Sequence, residues 1–341
     1  MAALKTTPPR LIRLASDLEI PQLGYGAMGL SQSYGVAKDP ESKETLRHAI
    51  EIGCQLWNTA TIYGQDQHNE KLIGEILRES DNRDKVTLVT KWGLKLNDGK
   101  LQPDGSAAFA RHCIDQSIWN LGSPPDIWLL HRIDQTVAIE ESVQAMEDAR
   151  RAGKCRFIGL SAMSASTLRR AAKAGKIDFV EMEFSPFETA IEDNGVLDAC
   201  KELGVKILAY SPLGKGALTG KFKSFEDFEK EGDMRSTGLF PRFNRDAWEH
   251  NVKLVNALEE LAKEKQCSPG QLALAWDMQV HGDLIIPIPG TKSIKYLDEN
   301  WASQNVQLNA EALAKIRSIL RENPVHGEQY SEAMNHLLDH E

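Results

Sequence analysis

Nowhere do the five cysteines, Cys54, Cys113, Cys155, Cys200 and Cys267, form a C-x-x-C pair. A structural zinc site or a redox dithiol therefore lacks its usual frame, and the scattered thiols read as small buried side chains in a reducing compartment. No run approaches the roughly 18 unbroken apolar residues of a membrane span, and Met1–Arg13 has no apolar stretch of a secretory signal. The expected location is the cytoplasm, with no membrane partner. Excess positive charge is also missing: Lys+Arg 40 against Asp+Glu 49 leaves a net charge of −9, which argues against nucleic acid as a partner. No Pro-, Gly- or Ser-rich linker divides the 341 residues. One domain over 1–341 is expected, ending in a polar tail over 323–341 with a short amphipathic piece at Met334, Leu337 and Leu338.

What the chain does have is alternation. Short apolar runs of strand length recur at Leu23–Met28, Gln55–Thr59, Val86–Trp92, Asp126–His131, Arg156–Ser161, Phe179–Phe184, Lys206–Tyr210 and Leu284–Pro289. Between most of them lie stretches with apolar residues three and four apart, such as Leu72, Ile73, Ile76 and Leu77, or Val143, Met146 and Ala149. Gly53, Gly153, Gly175 and Gly204 close four of these stretches, where a helix C-cap favours a left-handed residue. Strand then helix, with strands too apolar to have a wet face, is the pattern of a covered parallel sheet. Eight such units over about 250 residues predict an α/β fold of the (β/α)8 TIM barrel type. Leu11–Leu18 is expected as an extra N-terminal hairpin at the barrel bottom, and 211–244 as a long polar loop after the seventh strand, of a length that is usually functional or disordered.

Gly24-Tyr-Gly26-Ala-Met-Gly29 has the form G-x-G-x-x-G. Loop chemistry follows it, not the helix on which a dinucleotide fingerprint depends, so a tight strand-end turn is the better reading. The stronger signal is a set of polar residues at consecutive strand ends, where barrel enzymes carry their chemistry. The second run ends in N-T-A-T-I-Y-G with N-E-x-x-I-G at Asn69–Gly74, the third in T-K-W-G, the fourth in L-L-H-R. Further on stand G-L-S at Gly159–Ser161, A-Y-S-P-L-G-K-G at Ala209–Gly216, and I-P-G-T-K-S with L-D-E-N at Ile288–Asn300.

Taken together and in this order, these motifs resemble the aldo-keto reductase family, in its NADPH-dependent microbial branch. The resemblance implies reduction of a small-molecule carbonyl substrate, with Tyr63 as general acid, His131 orienting the carbonyl oxygen and Lys91 beside Tyr63. A lysine about 4 Å from the phenol, at an effective dielectric near 20, favours the phenolate by up to about 4 kcal/mol, lowering the Tyr63 pKa by as much as about 3 units. Most members carry an Asp as the lysine's partner; this chain has Asn58, so Lys91 is expected to be less firmly held. That departure opens an alternative: a cofactor-binding regulatory or interaction protein on the same barrel, like the potassium-channel β subunits, with weak turnover.

For the cofactor, the resemblance places Gly26, Ala27 and Met28 at the first strand's edge, and Ser161 and Glu181 at the nicotinamide carboxamide, where Gln is more usual than Glu. Tyr210 would stack on the nicotinamide; Ser211, Leu213, Lys215 and Gly216 would lie along the pyrophosphate; Gly290, Thr291, Lys292, Tyr296, Glu299 and Asn300 would meet the adenosine. NADPH is expected over NADH, because Lys292 and Thr291 offer a cation and a hydroxyl to a 2′-phosphate, although Tyr296 stands where an Arg is common. The long loop, with Lys215, Lys221, Arg235 and Arg242, looks like the family's clamp over the cofactor. Tyr25, Tyr34, Trp92 and Phe187, with the tail around Tyr330, are candidates for the substrate pocket. No metal is expected, and neither the natural carbonyl compound nor the oligomeric state is encoded in these motifs.

Overall fold

The computed structural model describes residues 9–15 and 18–339. Residues 1–8, the turn of the expected hairpin at 16–17 and the tail's last residues 340–341 lie outside it. The strands are β1 (Leu11–Ala15), β2 (Leu18–Pro21), β3 (Tyr25–Gly26), β4 (Leu56–Asn58), β5 (Thr87–Trp92), β6 (Leu94–Asn97), β7 (Lys100–Pro103), β8 (Ile127–Leu130), β9 (Phe157–Ser161), β10 (Phe179–Glu183), β11 (Lys206–Tyr210) and β12 (Ile285–Pro287). The helices are α1 (Asp39–Glu51), α2 (His68–Leu77), α3 (Asn82–Lys85), α4 (Ala107–Leu121), α5 (Ile139–Arg151), α6 (Ala165–Ala174), α7 (Val196–Leu203), α8 (Arg245–Glu264), α9 (Pro269–Val280), α10 (Ile294–Trp301) and α11 (Ala310–Glu322).

Eight of these strands form one parallel sheet in the order β3-β4-β5-β8-β9-β10-β11-β12. Its two ends meet. The Gly24 and Gly26 amides donate to the carbonyls of Pro287 (2.9 Å) and Pro289 (3.0 Å), and Gly26 bridges Gly290 in parallel. A Cβ on Gly26 would lie 2.7 Å from the Ile288 carbonyl oxygen. The first two glycines of the G-x-G-x-x-G string are therefore required by the closing seam of the barrel, where backbones approach too closely for a side chain.

Inside the ring, Leu56, Val89, Ile127, Leu129, Phe179, Leu208 and Ile286 pack with Ile12 and Ile20 of the β1–β2 hairpin. Those two isoleucines are 2% and 0% exposed, and burying each stabilises the fold by roughly 1.5–3 kcal/mol. The expected hairpin is thus present, with its second strand running on from Leu18 to Pro21, and it plugs the lumen. Three of the four helix-closing glycines, Gly53, Gly153 and Gly204, adopt positive φ as expected. Gly175 instead is extended at φ −169°. Its constraint is space, since a Cβ there would meet Glu147 Oε1 at 2.7 Å and Val143 Cγ1 at 2.8 Å.

Between β11 and α8 the chain makes a succession of short turns, as the glycine-rich composition of 211–244 predicts, and two helices rather than one, α8 and α9, precede β12. A second hairpin, β6–β7, stands on the C-terminal side of β5. Its signal was present in the sequence and is absent from the expected element order: alternating Leu94, Leu96 and Leu101 around Asp98-Gly99, both at positive φ as a two-residue hairpin turn demands.

Asp277 on α9 is fully buried, and neither carboxylate oxygen has a partner among the described residues. Burial drives its carboxyl well above the ordinary carboxylate range. A folded-state pKa above the unfolded one means that the acid form's stability is complete below about pH 3.8 and is lost as pH rises toward the folded value. Asp277→Asn is expected to raise the melting temperature at pH 8 and to change it little at pH 4. Thermal melts at both pH values check this.

Candidate active site

At the C-terminal ends of the strands lies a cavity of about 1330 Å³. The turn after β4 carries Tyr63, which is 9% exposed. Its position is set by the N-E-x-x-I-G motif at the start of α2. Asn69 Oδ1 accepts from Thr59 Oγ1 (2.6 Å), and Asn69 Nδ2 donates to the Ala27 carbonyl (2.9 Å) and Ser31 Oγ (2.8 Å). Glu70 accepts from Thr90 Oγ1 (2.7 Å), Ser117 Oγ (2.8 Å) and Asn120 Nδ2 (3.0 Å). The two side chains tie the ends of β3, β4 and β5 to α4, and burial raises the Glu70 carboxyl while those donors pull it back.

Lys91 on β5 is fully buried, with Nζ 5.2 Å from the centroid of the Tyr63 ring. The His131 ring, just past β8, meets the Tyr63 ring edge-on at 5.8 Å between centroids. Three of the expected catalytic side chains thus converge, Tyr63 and His131 on the cavity wall and Lys91 buried behind them. Asn58 joins them, with Oδ1 accepting from Lys91 Nζ at 2.5 Å.

The expected loosely held lysine is not what the structure contains. Glu181 on β10 reaches Lys91 Nζ at 3.0 Å through Oε1 and 3.2 Å through Oε2, and Asn58 Nδ2 donates to Glu181 Oε2 at 2.7 Å. The ammonium is gripped from two sides. The phenol also departs from expectation. Burial raises the Tyr63 pKa and Glu181 adds to the rise, while Lys91 and Arg132 oppose it, and the net direction is upward. Desolvation, the largest influence on a buried phenol, outweighs the nearby ammonium. Burial likewise drives His131 well below the usual imidazole value, assisted by the charges of Arg132 and Lys91.

Of the expected cofactor residues, Gly26, Met28, Glu181, Tyr210, Ser211, Leu213, Lys215, Gly216, Gly290, Thr291, Lys292, Tyr296, Glu299 and Asn300 line the cavity, whereas Ala27 and Ser161 are fully buried behind it. Several make contacts the sequence did not foretell. Lys215 is paired with Glu183 at 2.5 Å and faces the Phe240 and Tyr330 rings. Lys292 Nζ donates to the carbonyls of Tyr34 (2.9 Å), Gly35 (3.1 Å) and Val36 (2.8 Å). Lys221 Nζ sits 3.1 Å from the centroid of the Tyr296 ring. The loop after β3 is joined to the long loop after β11 by a Tyr34–Asp233 bridge, Gly35 N to the Gly232 carbonyl (3.1 Å) and Met234 N to the Ser33 carbonyl (3.1 Å). Ala162, Ser211 and Lys215, past the ends of β9 and β11, all hold positive φ without being glycine. Such strained residues gather where a rigid scaffold shapes a site.

Among the substrate-pocket candidates, Tyr34 lines the cavity. Tyr25, Trp92 and Phe187 do not: Tyr25 is fully buried with its hydroxyl donating to the Thr291 carbonyl, Trp92 stacks on Trp128 at 5.2 Å, and Phe187 packs against Phe243. Tyr25 and Trp92 face the strand–helix core, because alternate residues of a covered strand point outward, and Phe187, in the turn after β10, is taken up by packing against the long loop. The open end of the cavity is walled instead by Leu94, Leu96 and Leu101 of the β6–β7 hairpin, Phe109, His112 and Gln116 of α4, Phe240, and Tyr330, Met334 and Leu337 of the tail. The Tyr210 and Tyr330 hydroxyls are 3.0 Å apart, and Gln329 Nε2 donates to Glu183 Oε2 at 2.7 Å, pinning the tail to the barrel. Arg132, quoted in a motif but assigned no role, also lines the cavity; it donates to the His131 carbonyl at 2.8 Å and reaches Ser161 Oγ at 3.4 Å.

The chain matches the model of the Aldo/keto reductase family over residues 22–321, and it belongs to that family. Aldo-keto reductase yakc of Schizosaccharomyces pombe, whose name specifies NADP(+), is 37% identical over 316 residues, 91% of this chain and 92% of that protein. Aldo-keto reductase str7 of Strobilurus tenacellus is 36% identical over 330 residues, 96% of this chain and 95% of that protein. The glycerol dehydrogenase AKR11B4 of Gluconobacter oxydans superposes with a TM-score of 0.83 at 23% identity, over 93% of this chain and 97% of that one, and establishes the barrel fold. Among the described residues no helix is long and apolar enough to cross a membrane.

Burial and the neighbouring cations hold the His131 pKa well below the ordinary imidazole value, so the imidazole is expected to stay neutral from pH 8 to pH 6. Its ring-proton chemical shift is expected to stay flat over that range, as NMR titration will record. A folded-state value below the unfolded one also makes His131 subtract stability as pH falls below about 6.5, and not above it.

Proposed function

We propose that the protein reduces aldehydes or ketones to alcohols, with NADPH as hydride donor and Tyr63 as general acid. The observation that carries this reading is a phenol and an imidazole on the wall of the large cavity, with a buried ammonium directly behind the phenol. Tyr63 Oη passes its proton to the carbonyl oxygen, and the Lys91 ammonium supports the phenolate left behind. Neutral His131 offers an N–H to the same oxygen and holds it in place. Apolar walls from the β6–β7 hairpin, α4 and the tail exclude water and favour aryl or other lipophilic carbonyl compounds.

The donor set fits a dinucleotide. The cavity exceeds the roughly 300–1,000 Å³ of ordinary small-molecule sites, leaving room for a carbonyl compound beside the cofactor. Its wall carries Arg132, Lys215, Lys221, Arg235 and Lys292 against few carboxylates, although the whole chain is acidic. Tyr210 and Glu181 would flank the nicotinamide, Ser211, Leu213 and Gly216 the phosphates, and Thr291, Lys292, Tyr296 and Asn300 the adenosine end. When bound, the cofactor supplies the hydride for the carbonyl carbon. The NADP(+) in the name of the Schizosaccharomyces pombe relative supports the phosphorylated form. So does Lys221, which brings a cation to Tyr296 from the long loop. The regulatory alternative rested on Asn58; with the Glu181 carboxylate on Lys91, that residue no longer favours it.

Tyr63→Phe is expected to lower kcat by about 10²–10⁴-fold on lipophilic aldehydes while NADPH still binds. Steady-state assays beside fluorescence titration of the cofactor test this, and a wild type that binds NADPH but reduces no member of a broad carbonyl panel overturns the reading. Lys221→Ala removes a charge-assisted contact of roughly 1.5–3 kcal/mol. It is expected to weaken NADPH about 10-fold or more and leave NADH binding unchanged, as measured by the same titration.

A further inference from the structure

The ring order sets β10 four strands from β4 in an eight-stranded barrel, on the opposite wall. Even so, the side chains of Glu181 and Asn58 meet at 2.7 Å, with Lys91 Nζ against both. The carboxylate therefore crosses the lumen to reach the ammonium. All three residues are at most 3% exposed, so charge there is screened little by solvent. Among the described residues, no other carboxylate forms an ion pair with Lys91.

We propose that Glu181 is the counter-ion and positioning residue of Lys91, acting through it on Tyr63, and that Asn58 is neutral because an ionised carboxylate there would face Glu181 at contact distance. The inference rests on the proposed reductase reading only for the meaning of Tyr63. Asn58 bridges the pair in a way only an amide can: its oxygen accepts from the ammonium and its nitrogen donates to the carboxylate. An aspartate at 58 would keep the first contact and turn the second into repulsion. A glutamine at 181 would keep the size and remove the charge. Each single change upsets the charge of the cluster, in opposite directions, and the two together return it to one ammonium and one carboxylate. Among the described residues, the titratable and charged groups facing Tyr63 are Lys91 from β5, Glu181 from β10, and His131 and Arg132 from the turn after β8.

The test is a double-mutant cycle of Glu181→Gln, Asn58→Asp and Asn58→Asp/Glu181→Gln, with two readouts. The first requires no turnover: the ionisation of Tyr63, taken as the ultraviolet difference between each protein and its Tyr63→Phe counterpart. Loss of the carboxylate is expected to move this ionisation to lower pH by about one unit or more, an added carboxylate to move it higher, and the double variant to return it close to wild type. The second is kcat against pH, with the NADPH dissociation constant alongside. Both single variants are expected to lose at least about 10-fold in kcat, and the double variant to recover most of it. Losses that add in the double variant overturn the proposal. So does a Glu181→Gln protein whose only change is weaker NADPH binding, since that is the behaviour of a residue holding the cofactor alone. If a single variant fails to fold, recovery of the fold in the double variant supports the pairing, and a double variant that melts no higher than its parents overturns it. A wild type without carbonyl reductase activity would sink the proposed function while leaving the Tyr63 titration to decide this inference.

Discussion

A lysine ammonium sits at the centre of a closed ring of strands, out of contact with solvent, and must be compensated there. Burying an isolated ammonium costs far more than any single contact returns, and such a group either pairs or loses its proton. Glu181 and Asn58 satisfy that demand from opposite walls. Since Lys91 is also the cation nearest Tyr63, the same contacts that make the lysine tolerable set the electrical environment of the phenol. Stability of the barrel mouth and acidity of the site are one problem with one solution.

Around that centre the fold supplies order by separating tasks. The lumen below is apolar and plugged by Ile12 and Ile20. The next layer is a polar girdle in which Asn69 and Glu70 fasten neighbouring strand ends to each other and to α4. Above it the walls come from segments outside the ring: a hairpin, a long loop and the tail. Chemistry held on strand ends and selectivity held on appended loops is the division of labour the barrel permits.

Strand positions and the polar residues at their ends were legible in the sequence because both follow short-range rules, period and motif spacing. Tyr63, Lys91 and His131 stand in those motifs, and the resemblance to the family is what singled them out. The partner of Lys91 was not legible, because nothing local connects residue 181 with residue 91; only closure of the ring brings them together. Tyr25, Trp92 and Phe187 illustrate the converse. An aromatic beside a motif has two faces to choose from: strand alternation turned Tyr25 and Trp92 toward the helices, and Phe187 packed against Phe243 of the long loop. The β6–β7 hairpin has a clear local signature in Asn97-Asp98-Gly99, but it stands outside the regular strand-helix alternation that the rest of the chain follows.

The loop after β3 is stitched to the loop after β11 by backbone bonds, and to the segment after β12 by Lys292, whose ammonium gathers three carbonyls from 34–36. That seam roofs part of the cavity, and its fastenings run between the loops themselves. A molecule lodged against it would meet a wall whose stiffness comes from two loops bound to each other, so a change in either loop would be felt by the guest as well as by its neighbour.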